Sequence, residues 1–186
     1  MADLARTKGI TMPGFDPRIL RDEDWGKALS IIGPVAHLVH PDLVIAPAGK
    51  QEPYLYRWHI VPRNVTGCNV YFHIQVASDP ERPLHDHPWD STSVILTGGY
   101  DEYLSSPDQI NLTPRLFRRV PGDVIGRRAE IAHRLVLPKH VPYSMSLFTT
   151  GPVRRDWGFW FPDGWRSHKQ VVEDEDGVST FKENKT

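Results

Sequence analysis

The stretch His85-Asp86-His87-Pro88-Trp89-Asp90 has the residue types and spacing to bind a metal. Along a β-strand successive side chains point to opposite faces, so His85 and His87 share one face, roughly 6.5 Å apart. Two imidazoles at that spacing can converge on one first-row ion with bonds of about 2.1 Å. A third, from a neighbouring strand, would close a facial set and leave positions open for water or substrate. Asp90 has two readings. If Pro88 bulges the strand, its carboxylate turns inward as a fourth ligand. Strict alternation points it away, where it could hold a ring N–H from behind.

Other polar residues could serve the same site. Tyr71, His73 and Gln75 alternate along one strand face and could line a pocket, with His73 and Tyr71 as acid–base groups and Gln75 as a substrate contact. They could equally form a hydrogen-bonded outer wall. Arg57 and His59 on the preceding strand present the same choice. Arg127 and Arg128 follow a glycine turn, and Arg128 is a candidate for gripping a substrate carboxylate or phosphate, set against a solvated turn with Glu130. The segment Arg154-Arg155-Asp156-Trp157-Gly158-Phe159-Trp160-Phe161-Pro162-Asp163-Gly164-Trp165 could stack a planar ligand, though an aromatic last strand filling the core explains it more simply.

These residues need strands to position them. From Tyr54 onward the pattern has period two: Tyr54, Tyr56, Trp58 and Ile60 alternate with Leu55, Arg57, His59 and Val61. Val70, Phe72, Ile74 and Val76 form a cleaner apolar face. Further strands are expected at Ser91–Leu96, Tyr100–Leu104, Arg115–Arg119, Asp123–Gly126, Arg134–Leu137, Ser144–Thr149 and Trp157–Phe161. Seventeen prolines and fourteen glycines, spread along the chain, punctuate short segments rather than long helices. One helix is predicted from Asp16 to Ile32, capped by Asp16 with Pro17 in the first turn, and a shorter one from Val35 to Val39. A helical preface followed by many short strands indicates a β-sandwich or barrel. The expected division is a helical extension over 1–50, a barrel over 51–168 and a polar tail over 169–186, with residues 1–16 and Glu173–Thr186 as loose ends.

Composition limits the function classes. The 22 basic and 23 acidic residues nearly cancel, which argues against a nucleic-acid or membrane-surface binder. A single cysteine, Cys68, excludes an internal disulfide and a cysteine-rich zinc module, and fits a reducing cytoplasm. The N-terminal residues lack the apolar core of a signal peptide, and no apolar run approaches the roughly 20 residues of a membrane span.

Two motifs resemble those of the cupins, small double-stranded β-helix (jelly-roll) proteins. The first has the form G-x5-H-x-H-x3,4-E-x6-G. His85 and His87 match its histidines and Gly98 or Gly99 its closing glycine. In the second, G-x5-P-x-G-x2-H-x3-N, Gly122 opens the motif and His133 falls on the ligand position. Departures are clear: Asp79 stands at the first opening glycine, Ser91 or Thr92 at the glutamate, and Arg128, Glu130 and Leu137 at the proline, glycine and asparagine. The combination of HDHPWD, LTGGY and RRDWGFW is similar to a subgroup of small bacterial and phage cupins whose reactions are mostly unassigned. The resemblance implies an all-β cupin jelly-roll barrel with one divalent first-row metal on His85, His87 and His133, and the sheet-mediated homodimers common among cupins.

The expected function is therefore a metal-dependent enzyme acting on a small polar molecule, with Fe(II) oxygenase chemistry favoured. The ligand types also suit zinc or manganese in an isomerase or hydrolase. A non-enzymatic binding or scaffold module is the remaining alternative. The absence of an HxD pair among the ligands argues against a 2-oxoglutarate-dependent reaction.

Overall fold

The computed structural model describes residues 41–46, 52–64, 66–80, 83–105, 114–173 and 179–181. The helices expected at Asp16–Ile32 and Val35–Val39 lie outside these residues. The described chain is all-β, and among its residues no helix is long and apolar enough to cross a membrane.

The strands are β1 (Leu43–Ile45), β2 (Leu55–His59), β3 (Asn69–Gln75), β4 (Leu84–His85), β5 (Ser91–Thr97), β6 (Tyr100–Ser105) and β7 (Arg115–Arg119). They continue as β8 (Val124–Arg127), β9 (Ala132–Val136), β10 (Ser144–Thr150), β11 (Gly158–Phe161), β12 (Gly164–Ser167), β13 (Val171–Glu173) and β14 (Ser179–Phe181). One six-stranded sheet has the order β1-β2-β3-β10-β5-β8 and a second the order β12-β11-β4-β9-β6-β7. Their inner strands, β3-β10-β5-β8 facing β4-β9-β6-β7, are the two halves of a jelly roll, the chain passing between them as it advances. All recorded pairings are antiparallel.

Two glycines carry the corner from β5 into β6. Gly98 and Gly99 adopt φ of 76° and 102°, and a Cβ on Gly98 would lie 2.1 Å from the Tyr143 carbonyl oxygen. Any larger residue would clash there as well as strain the backbone.

Alternation along β2, β3 and β10 divides their shared sheet into two unlike faces. Tyr56, Trp58, Phe72, Ile74 and Met145 are buried together with Tyr143 on the side away from the inter-sheet space. Tyr56 is fully enclosed, and burial pushes its hydroxyl up to about 12. The opposite face presents Arg57, His59, Tyr71, His73, Gln75, Ser144, Ser146 and Phe148 to a cavity between the sheets of about 590 Å³. A second apolar cluster, Ile95, Tyr100 and Ile125 with Leu135 and Leu137 against it, packs where β5, β6, β8 and β9 meet.

Two expectations about the ends need revision. Leu43–Ile45, inside the stretch assigned to the helical extension, pairs with β2 as an edge strand. Three consecutive apolar residues, two of them β-branched, after Pro41 favour that conformation. Within the stretch expected to be loose, Ser179–Phe181 pairs with Val171–Glu173 as a two-stranded ribbon.

Candidate metal centre

β4 is only two residues long, yet it fixes the site. Its His85 pairs directly with His133 of β9 across the ladder. His87 follows beyond the strand, its N–H bonded to the Ala129 carbonyl at 3.0 Å. The three rings make a nearly equilateral triangle, with centroid separations of 5.1 Å (His85–His87), 4.9 Å (His85–His133) and 5.0 Å (His87–His133). One ring nitrogen from each lies within 4.8 Å of the others, so the group could hold a metal ion. All three histidines line the cavity.

The donor chemistry fits that use. Nδ1 of His133 lies 2.8 Å from Oε1 of Glu102. An ionised carboxylate can only accept, so Nδ1 carries the proton, and in the neutral ring Nε2 keeps its lone pair. That Nε2 is 2.8 Å from Nε2 of His87. The indole of Trp89 stacks on His87 at 4.6 Å and 12°, restricting the ring's rotation.

Glu102 is fully buried and anchors more than His133. Its Oε1 accepts from Arg127 Nε at 2.6 Å and its Oε2 from Arg119 Nε at 2.7 Å. Burial opposes its ionisation, but the hydrogen bonds from His133 and Arg127, with the Arg127 charge, hold the carboxyl well below the usual carboxylate range. Sequence reasoning missed Glu102. Its sign was an acid sharing one strand face with Tyr100 and Leu104.

Asp86, between the two ligands in sequence, points the other way, as alternation requires. It is fully buried and accepts from Gly158 N at 2.7 Å, Trp165 Nε1 at 2.9 Å and Trp160 Nε1 at 3.3 Å, and pairs with Arg155 at 2.8 Å. The aromatic segment thus contributes to the scaffold: β11 and β12 hold the ligand-bearing β4 through Asp86. Trp157 of that segment also lines the cavity.

Two sequence-derived site residues lie elsewhere. Asp90 does not join the histidines. Its Oδ1 accepts from Ala129 N at 2.7 Å and Arg154 Nη2 at 2.8 Å, and its side chain is 55% exposed. The Ala129 and Arg154 donors take up the carboxylate on the outer side. Arg128 is exposed and is not among the cavity-lining residues; Arg127 takes that place. Along β8, Ile125 and Arg127 turn inward, so the next residue turns out.

Tyr71, His73, Gln75 and Arg57 all line the cavity. Gln75 Nε2 donates to the Ala77 carbonyl at 3.1 Å. Arg57 Nε donates to Nε2 of His73 at 2.8 Å, while its guanidinium lies 4.7 Å from the centre of the Tyr71 ring. Burial, then the charges of Arg57 and His59, pull the His73 pKa well below the usual histidine value. His73 is therefore a neutral acceptor at pH 7, which orients Arg57 rather than donating a proton.

No protein-family model matches the sequence, and no curated protein matches it. Several solved structures are similar in shape. A cupin-2 domain protein of Rhodospirillum rubrum is 12% identical with a TM-score of 0.48, over 63% of this chain and 72% of its own. A mannose-6-phosphate isomerase, so named on a provisional basis, from Ralstonia eutropha is 18% identical with a TM-score of 0.42, over 59% of this chain and 92% of its own. Hydroxypropylphosphonic acid epoxidase from S. wedmorenis is 12% identical with a TM-score of 0.44, over 60% of this chain and 56% of its own.

Proposed function

We propose that this chain is a metal-dependent enzyme in which His85, His87 and His133 hold one divalent first-row ion and the cavity takes a small-molecule substrate. Fe(II) is the favoured metal and an oxygenase reaction the favoured activity. The observation that carries this reading is the convergence of three ring nitrogens on a cavity of about 590 Å³, with His133 held in the ligating tautomer by a buried carboxylate. A bound ion would supply Lewis acidity and an open coordination face.

The residues of the chain supply the rest. Glu102 fixes the proton on His133 Nδ1, and Trp89 holds the His87 ring. Tyr71 and Gln75 offer polar contacts to a substrate. A second reading, a zinc- or manganese-dependent isomerase or hydrolase, is favoured by the all-imidazole set, which lacks the carboxylate of the usual non-haem iron triad.

Metal content of untagged, anaerobically purified protein, measured by mass spectrometry beside His133→Ala, tests the site. Iron near one ion per chain that is lost in the variant supports the proposal, and oxygen-consumption assays then follow. Zinc or manganese at that level moves the assignment to the second reading. A protein that takes up no metal even after reconstitution sinks both.

A further inference from the structure

Arg57 is a half-buried cation of this cavity that the described residues leave without a counter-charge. Arg127, also in the cavity wall, is matched by Glu102 at 2.6 Å. Arg57 is half-buried and touches no carboxylate of the described residues; the groups acting on it are Tyr71, Tyr54 and a second cation, Arg63, which also lines the cavity. The lining acids are bound elsewhere. Asp42 accepts from the His59 backbone N–H at 2.7 Å, and Asp79 from that of Leu135 at 2.8 Å. A half-buried guanidinium without an anion is costly, and a ligand can supply one.

The guanidinium is also preorganised. Its Nε is committed to His73 and its plane lies over Tyr71, leaving the terminal nitrogens as donors for a ligand. A succession of rings connects it to the histidine cluster. His73 stacks on Phe148 at 5.0 Å, Phe148 meets Trp89 edge-on at 5.4 Å, and Trp89 stacks on His87 at 4.6 Å. Arg57, His73, Phe148, Trp89 and His87 all line the same cavity, so a ligand gripped by the arginine would lie along an aromatic wall ending at the three histidines.

We propose that the substrate is a small organic oxyanion with a flat apolar body. Its carboxylate or phosphonate is taken by Arg57, its body lies against Phe148 and Trp89, and its far end faces His85, His87 and His133. This rests on the cavity being the substrate site. His73 is a positioning residue: it holds the guanidinium plane and does not itself react. Three neutral imidazoles would leave the full double charge of a bound ion uncompensated, which favours an anionic ligand for the same reason.

Titration calorimetry with benzoate and with phenylphosphonate, using the neutral isostere benzamide as control, tests this on full-length protein with and without Mn(II). At least one anion should bind wild type about tenfold or more tightly than benzamide, the scale of a charged hydrogen-bond pair. Whichever anion binds names the oxyanion. In Arg57→Gln the anion-to-benzamide ratio should fall toward one, whereas general loosening of the fold would weaken both ligands alike. His73→Phe should lower the ratio partway, and Arg57→Lys should retain part of it. Failure of both anions to bind wild type, or an unchanged ratio in Arg57→Gln, overturns the assignment. Metal content of the same samples separates the two proposals. An intact metal site with Arg57-independent binding defeats only the oxyanion, and Arg57-dependent binding in a protein that takes no metal defeats only the metal centre.

Discussion

Asp86 and Glu102 are both fully buried carboxylates, one beside the candidate ligands in sequence and the other in space, and they face opposite ways. Glu102 gathers Arg119, Arg127 and His133, two cations and one candidate ligand, on the cavity side of its sheet. Asp86 gathers two indole N–H groups, a backbone N–H and Arg155, tying β4 to the β11–β12 hairpin behind the site. Burial alone therefore does not mark a functional acid. What separates the two is the partner: one orients a ring nitrogen that faces the cavity, and the other anchors the strand that carries the rings.

The same substitution, carboxylate to amide, divides the two roles. Asp86→Asn puts an NH2 group among donors and leaves Arg155 without its counter-charge, and breaking such a buried pair costs about 3–5 kcal/mol. For a chain of this size that is a fall in Tm of roughly 10 °C, readable by thermal denaturation. Metal affinity should follow only through the folded fraction. Unchanged melting would show that the aromatic hairpin does not depend on Asp86.

Glu102→Gln should also cost stability, since two arginines lose their partner, but its signature is different. Exchanging the anionic acceptor of His133 Nδ1 for a neutral amide oxygen should weaken metal binding about 10–100-fold in the protein that remains folded. Competition against a chelating dye, with circular dichroism to fix the folded fraction, measures it. If Glu102→Gln and Asp86→Asn reduce metal affinity equally, the distinction between orienting and anchoring acids collapses.

Much of this arrangement was legible in the sequence, for physical reasons that also set the limit. The strands follow from period-two alternation and glycine or proline turns, local signals that survive without tertiary information; the expected strand at Arg115–Arg119 and β7 coincide. His85 and His87 share a face because alternation continues past the end of β4. Glu102 was not legible because Arg119, Arg127 and His133 reach it from three other strands, and only folding assembles them. Arg128 was preferred to Arg127 because a one-residue difference decides which face a side chain takes, and the motif does not fix that register. The fate of Asp90 depended on donors from Ala129 and Arg154, far along the chain.

His73 extends the comparison to a base on the cavity side. Its folded pKa is depressed by burial and by Arg57 and His59, while the unfolded chain titrates near the ordinary value of about 6.5. Below that pH the unfolded state binds a proton that the folded state refuses, so stability rises with pH and falls on acidification. The loss is at most about 1.4 kcal/mol per pH unit for one group. Urea unfolding at pH near 7.5 and near 5.5 should show this component in wild type and lack it in His73→Phe. Equal pH dependence in the two proteins would mean that His73 takes up its proton as readily in the fold as in the unfolded chain, so that neither burial nor Arg57 holds it neutral.

Asp90 supplies the smallest expected effect and the sharpest control. It belongs to the same six-residue run as Asp86 and bonds one backbone N–H and one arginine, as Asp86 also does, but both partners of its ion pair are largely open to water. Its carboxyl is held below the ordinary value by the Arg154 and Ala129 hydrogen bonds, yet solvent screens exposed pairs to about 0–1 kcal/mol. Asp90→Ala should therefore change the urea midpoint only slightly and leave metal stoichiometry and affinity as in wild type. A loss of metal on the scale expected for Glu102→Gln would show that Asp90 swings inward when an ion binds. Asp90 would then be a fourth ligand, adding a carboxylate to the three histidines.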